Sequence, residues 1–206
     1  MDLALFTASA VTLAAERVTY IAVSCRPVAF ARLVDRIRFL RSHQPEDVVA
    51  ALFLGFKVVQ VTVFASWFRE GDVRLFDTPA ASMLGVMLIA VGQWLNARVF
   101  LILGRMGAFY GAQFGRPVPW SSELPFSVLA HPQYVGAVGS IWGLFLLIRF
   151  PSPDWWVIPL LETLYYAAGA RLECTSSDAD PPRAPAAVRY DSKSGASAVS
   201  HVRPSA

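Results

Sequence analysis

The strongest constraint in this sequence is a series of apolar runs, each approaching 20 residues in length and carrying few charges. A helix of that length crosses about 30 Å of hydrocarbon. Composition agrees, since 55% of the residues are hydrophobic and 16% are charged, with a mean hydropathy of +0.45. A soluble domain of this size carries about 25% charged residues. The chain of 206 residues therefore reads as one compact membrane bundle, with no room for a second domain.

Five apolar segments can be delimited. The first runs from about Leu3 to Ser24, with Glu16 and Arg17 inside it; they pair, or the segment is short or partly interfacial. The second covers roughly Val48 to Phe68 with Lys57 near its middle, and the third Ala80 to Leu103. The fourth runs from about Tyr134 to Phe150 and the fifth from Trp155 to Ala170. Between these last two, Pro151-Ser152-Pro153-Asp154 breaks the helix, because proline cannot continue it. The expectation is an all-α, polytopic transmembrane helix bundle. It has four spans plus a C-terminal helical hairpin partner, the last pair being either a hairpin or one interrupted span. Trp155 and Trp156 fit an interfacial aromatic belt.

Arginines orient the bundle. Arg26, Arg32, Arg36, Arg38 and Arg41 follow segment one, Arg105 and Arg116 follow segment three, and Arg171 follows segment five. With the hairpin fully crossing, all these stretches fall on one side, which the positive-inside rule makes cytoplasmic. The opposite side holds Arg69, Arg74 and Arg149, the first two diluted by Glu70, Asp72 and Asp77. The same rule accounts for the net charge of +3 without nucleic acid as a partner. Met1-Asp2-Leu3 lacks a positive n-region, so the first run reads as a retained span. Cys25 and Cys174, far apart, give no disulfide framework or metal-ligand cluster. From Cys174 the chain turns to Ser, Asp, Pro, Ala, Arg and Lys and cannot bury a core. The membrane domain is thus 1–173, and 174–206 reads as a disordered cytoplasmic tail.

The stretch from Asp77 to Gly139 is the informative one. Gly85 and Gly92 lie seven residues apart on one face of the third segment, a close-packing pattern. Gln93, Asn96 and Arg98 follow where a lipid-facing helix has no use for them, and such residues usually face the bundle interior or a water-filled cavity. Gly107, Gly111 and Gly115 would share one helical face, for packing or for backbone contact with a flat ligand. No strand-turn-helix unit surrounds them, so a Rossmann-type cofactor site is disfavoured. Ala130-His131-Pro132-Gln133-Tyr134-Val135-Gly136 then opens the fourth segment. If segments four and five return the chain, His131, Tyr134 and Glu173 meet at one membrane surface, where a carboxylate suits a cationic ligand.

These residues resemble the phosphatidylethanolamine N-methyltransferases, particularly the smaller phospholipid methyltransferases. The matching pieces are Asp77-Thr78-Pro79-Ala80-Ala81, Gly92-Gln93-Trp94-Leu95-Asn96-Ala97-Arg98-Val99, Gly107-Ala108-Phe109-Tyr110-Gly111, Phe114-Gly115, Pro125-Phe126 and His131-Pro132-Gln133-Tyr134-Val135-Gly136. The last is also similar to the isoprenylcysteine carboxyl methyltransferases. The resemblance implies an enzyme of the endoplasmic reticulum that uses S-adenosylmethionine, without a metal, to methylate phosphatidylethanolamine or its methylated derivatives and make phosphatidylcholine. It implies two cofactor-binding elements. One is a Gly-x-Gly that here reads Ala90-Val91-Gly92; the other is a Glu-Glu pair after the last span that here reads Leu172-Glu173.

Methyl transfer from a sulfonium to an amine is an in-line displacement, so the protein must hold donor and acceptor in line and let the amine lose its proton. His131, Tyr134 and Glu173 are the expected catalytic residues. Glu173 is expected to face the donor, and His131 with Tyr134 the reacting end; His131, Glu173 or Glu123 is the proton acceptor. The alternatives are a membrane methyltransferase for another apolar acceptor such as a prenylcysteine, and a non-enzymatic membrane protein.

Overall fold

The computed structural model describes residues 2–70, 73–119 and 121–173; the expected tail over 174–206 lies outside them. Regular structure among the described residues is helical throughout: α1 (Leu3–Cys25), α2 (Pro27–Arg36), α3 (Pro45–Glu70), α4 (Pro79–Ala108), α5 (Pro132–Ile148) and α6 (Val157–Leu172). Proline opens four of them, where its fixed φ suits the first turn and its missing N–H costs no hydrogen bond. The Asp2 carboxylate starts α1 by accepting from the N–H groups of Ala4 (2.8 Å) and Leu5 (3.4 Å). The five apolar segments correspond to α1, α3, α4, α5 and α6. Sequence reading treated the arginine-rich stretch after α1 as a loop, yet α2 forms there, packed through buried Val34 and the Phe30 ring on Phe114 (6.0 Å).

Two helical stretches, Pro45–Arg69 and Pro79–Phe114, are long and apolar enough to cross a membrane, with hydropathies of 2.1 and 1.8. Only 17% and 22% of these windows are buried within the protein, the reverse of a soluble core helix. Contacts at the helix ends set the directions. At one end the Cys25 sulfur lies 3.5 Å from the Leu172 carbonyl oxygen, Arg105 pairs with Asp47 (2.6 Å) and Arg116 with buried Glu46 (2.8 Å). At the other, the Arg74 N–H donates to the Ile148 carbonyl (2.8 Å), and buried Arg149 donates to the Trp67 carbonyl (2.6 Å) and pairs with Asp154. The five long helices therefore alternate in direction, and the arginine-rich stretches gather at the first end. The helix α5 packs beside α6, so the Pro151–Asp154 break makes a hairpin and not one interrupted span. Arg149, expected at the end of the fourth segment on the side away from the arginine-rich stretches, is the buried fastener of that hairpin. Cys25 is disulfide-bonded, which two widely separated cysteines did not suggest.

The closest pairing in the bundle is α4 against α5, and it is made by backbone. A Cβ added to Gly85 would stand 2.8 Å from the Gly143 carbonyl oxygen, and one on Gly136 would stand 2.6 Å from that of Gly92. Without a hydrophobic drive between helices in lipid, such close approach supplies the dispersion that holds them together. The other glycine pattern does not persist as a helical face. The helix α4 bends at Gly104 (φ 63°) and ends at Ala108. Gly111 begins a single 3-10 turn, and Gly115 closes it with φ 76°.

The second side of the bundle, α1 with α3 and α6, is tied by charge. Glu16 and Arg17 pair within α1 (2.7 Å), and the same Glu16 oxygen takes Lys57 of α3 at 3.0 Å. Lys57 also donates to Gln60 (2.9 Å) and to the Tyr166 hydroxyl of α6 (3.4 Å), while Gln60 donates to Glu162 (2.5 Å). The charges that made segments one and two look defective as spans satisfy one another in the interior.

Two stability outcomes follow, read as thermal unfolding of the detergent-purified protein. Gly92→Val forces α4 and α5 apart and should cost about 1–3 kcal/mol; Gly55→Ala, whose added Cβ meets nothing within 4 Å, should raise stability by about 0.5–1 kcal/mol. Glu16→Gln leaves two interior cations without their carboxylate and should cost roughly 3–5 kcal/mol. Asp77→Asn, in an exposed pair with Arg74 (3.7 Å), should change it by less than about 1 kcal/mol.

Candidate active site

Between the two sides lies a cavity of about 530 Å³ near the arginine-rich end, within the roughly 300–1,000 Å³ of small-molecule sites. Its walls come from α1, α3 and α6 on one side and from α4, the 3-10 turn and the start of α5 on the other. The helices α3 and α4 are joined at that end by Arg105–Asp47 and Arg116–Glu46 but are not close-packed above it. Lys57 lies about 15 Å beyond Asp47 along α3, and Asn96 about 14 Å before Arg105 along α4. They therefore face one another at one depth across a slot, with Gln60 and Gln93 the next pair along it; all four line the cavity.

The mouth is built by the helix ends. Pro132 starts α5, which places His131 just outside it and Tyr134 in its first turn. The end of α6 brings Glu173 to the same level. The Tyr134 hydroxyl donates to the Glu173 carboxylate, and Tyr110 lines the cavity with both. The His131 ring stacks on Tyr134 with centroids 5.6 Å apart and an interplanar angle of 18°. His131 is exposed, so the mouth has access to water.

The floor is formed by Arg17, Tyr20, Lys57 and Tyr166. The Arg17 guanidinium stacks 3.9 Å from the Tyr166 ring centroid, with the Tyr20 and Tyr134 rings at 5.3 and 5.7 Å. Tyr166 precedes Glu173 by about two turns of α6, a rise of roughly 10 Å along the helix, and the Arg17 and Glu173 side chains shorten that distance by both lying against Gly169. Three buried polar atoms around the cavity have no hydrogen-bond partner among the described residues: Arg17 Nε, the Tyr20 hydroxyl and Asn96 Oδ1. Buried polar groups are almost always satisfied, so these three mark positions for ligand atoms or water.

His131, Tyr134 and Glu173 are thus brought together, as the return of the chain through α5 and α6 required. Ala90, Val91, Gly92 and Leu172 are not in the cavity wall. Ala90 and Val91 are exposed on the outer face of α4, Gly92 is buried against Gly136 and Ser140, and Leu172 is exposed beside Cys25. Gln93 and Asn96 do line the cavity, and Gln93 donates to the Ser140 hydroxyl of α5 (2.9 Å). Arg98 instead reaches the Leu124 carbonyl (3.2 Å). Sequence reasoning did not single out Arg17, Lys57, Tyr20 or Tyr166 for the site. The available signal was charge inside apolar runs, which in a membrane protein marks function as often as defect. Among the described residues no cluster of His, Cys, Asp and Glu could hold a metal ion.

Residues 80–175 match the sequence model of the phospholipid methyltransferase family. Over 54 residues the chain is 50% identical to phosphatidyl-N-methylethanolamine N-methyltransferase of Arabidopsis thaliana, covering 26% of this chain and 33% of that protein. Over 91 residues it is 34% identical to phosphatidylethanolamine N-methyltransferase of Homo sapiens, covering 44% of this chain and 45% of that one. The chain therefore spans less than half the length of the curated relatives it matches. No solved structure matches it. The matched segment is the one that supplies the α4 and α5 walls, the mouth and Glu173, and it is in this cavity-forming part that the chain is similar to the phospholipid methyltransferase family.

Proposed function

We propose that the protein transfers methyl groups from S-adenosylmethionine to the ethanolamine amine of phosphatidylethanolamine or of its mono- and dimethyl forms, making phosphatidylcholine. The observation that carries this reading is the cavity itself, reached by water at His131, lined along α3 and α4 by Lys57, Gln60, Gln93 and Asn96, and built in large part from the segment shared with the family. Both relatives are named as phospholipid N-methyltransferases. The alternating helix directions support five membrane crossings with the mouth on the cytoplasmic side, and the resemblance supports residence in the endoplasmic reticulum.

The residues present suit the methyl donor. Its sulfonium and ammonium groups call for a carboxylate and aromatic faces, and the mouth supplies Glu173, held by Tyr134, with Tyr110 and Tyr134 around it. When bound, the donor supplies an electrophilic methyl group to the amine. Glu173 offers its negative charge to the donor's cationic end. Tyr134 fixes the carboxylate through its hydroxyl, which removes the cost of ordering Glu173 on binding. His131 takes the proton that the amine gives up before or during attack, directly or through water, and its exposure lets that proton leave to solvent. The slot walls hold the acceptor so that its nitrogen lies in line with the transferred methyl. Gly92 serves this arrangement by position, since its contact with Gly136 sets how far α5 and Ser140 stand from Gln93 and Asn96.

The direct test supplies labelled S-adenosylmethionine to membranes from cells that lack lipid methylation and express this chain. Each of the three ethanolamine lipids is added separately. Label in a phospholipid is the expected result; label only on prenylcysteine acceptors, or on nothing, from inserted and folded protein, rules the reading out. Glu173→Gln should raise KM for S-adenosylmethionine by about tenfold or more, the equivalent of ~1.4 kcal/mol. His131→Ala should lower kcat by about 10²-fold with that KM little changed.

A further inference from the structure

We infer that Lys57, with Arg17 behind it and Tyr20 beside it, forms a subsite for the phosphodiester of the acceptor lipid. The inference rests on the function proposed above and assigns the deep end of the same cavity. Lys57 stands in the middle of a membrane-length helix, yet 27% of its side chain remains accessible, against 6% for Arg17, and it lines the cavity. Both cations share one oxygen of Glu16. Glu162 lies behind Gln60, whose amide it holds, and makes no ion pair among the described residues. Around Lys57 the unmet groups are donors, Arg17 Nε and the Tyr20 hydroxyl. This polarity suits a ligand with an anionic group toward α1 and α3.

Two anions are available to such a site, the lipid phosphodiester and the carboxylate of the methyl donor. Reach separates them. The donor's carboxylate and ammonium share one carbon, whereas in the lipid two carbons separate the phosphate oxygen from the amine, so the lipid is the better able to span from Lys57 to a donor held at Glu173. A phosphate on Lys57 places the amine between Lys57 and Glu173, where the methyl is delivered. The slot between α3 and α4 gives that headgroup a polar path from the side.

The experiment compares two acceptors of matched acyl chains, phosphatidylethanolamine and an ethanolamine-bearing ether lipid that lacks the phosphate. Full-length wild type, Lys57→Met and Tyr20→Phe are assayed in mixed micelles with labelled S-adenosylmethionine. Wild type should prefer the phospholipid in kcat/KM. Lys57→Met should reduce that preference by about tenfold or more, and Tyr20→Phe by about threefold, with KM for S-adenosylmethionine unchanged. Because the Tyr20 hydroxyl has no hydrogen-bond partner among the described residues, Tyr20→Phe keeps the test decisive if Lys57→Met fails to fold. A preference retained in the folded variants would overturn the assignment and leave the cations as ties between helices. A rise in KM for S-adenosylmethionine with the preference intact would assign the subsite to the donor's carboxylate instead. If wild type methylates neither lipid, the proposed function falls, and this inference with it.

Discussion

The contact on which the rest of the structure depends is the backbone-to-backbone approach of α4 and α5. In water the burial of side chains would hold two apolar helices together, but lipid removes that drive. What remains is the dispersion of closely apposed surfaces, and glycine at 85, 92, 136 and 143 is what lets the surfaces meet. Because the two helices are locked, Gln93 and Ser140 hydrogen-bond across the joint, and Asn96 lines the cavity with its side-chain oxygen against Gly136. Because α5 is fixed, Pro132 holds His131 and Tyr134 at the mouth, and the hairpin turn returns α6 to bring Glu173 beside them.

The other side of the molecule solves a different problem. Glu16, Arg17 and Lys57 are each expensive inside an apolar helix bundle, and together they are not. One carboxylate oxygen receives both cations, and aromatic faces cover the guanidinium. The result is a rigid polar wall that an apolar bundle could not otherwise contain. Its cost is accepted where α1, α3 and α6 meet, and its accessible edge is the floor of the cavity.

Much of this was legible in the chain. Hydropathy and the Pro-Ser-Pro-Asp break located five helices, since lipid imposes one simple rule on backbone polar groups. The return of the chain placed His131, Tyr134 and Glu173 together. Other features were hidden for identifiable reasons. The helix α2 is short and rich in arginine, and only Phe30 and Val34 reveal its packed face. Gly107, Gly111 and Gly115 fit a helical period, but the bend at Gly104 and the positive φ at Tyr110 end the helix first. Helical spacing put Ala90, Val91 and Gly92 on a helix without saying which way each faced, and the first two face outward. Glu16–Arg17 and Lys57 lie forty residues apart, so their shared carboxylate was invisible until α1 and α3 stood side by side.

The joints of the bundle are unequal, and this has a mechanical consequence. The two halves, α4–α5 and α1–α3–α6, touch along α5 and α6, through the Phe64 and Phe68 rings of α3 on Phe145 of α5, and meet again at the arginine-rich end through Arg105–Asp47 and Arg116–Glu46. The hydrogen bond from Tyr134 to Glu173 also crosses from one half to the other. Any widening of the gap between α3 and α4 is therefore borne by that bond and by the two ion pairs at the same end, so the mouth of the cavity doubles as a fastener of the bundle.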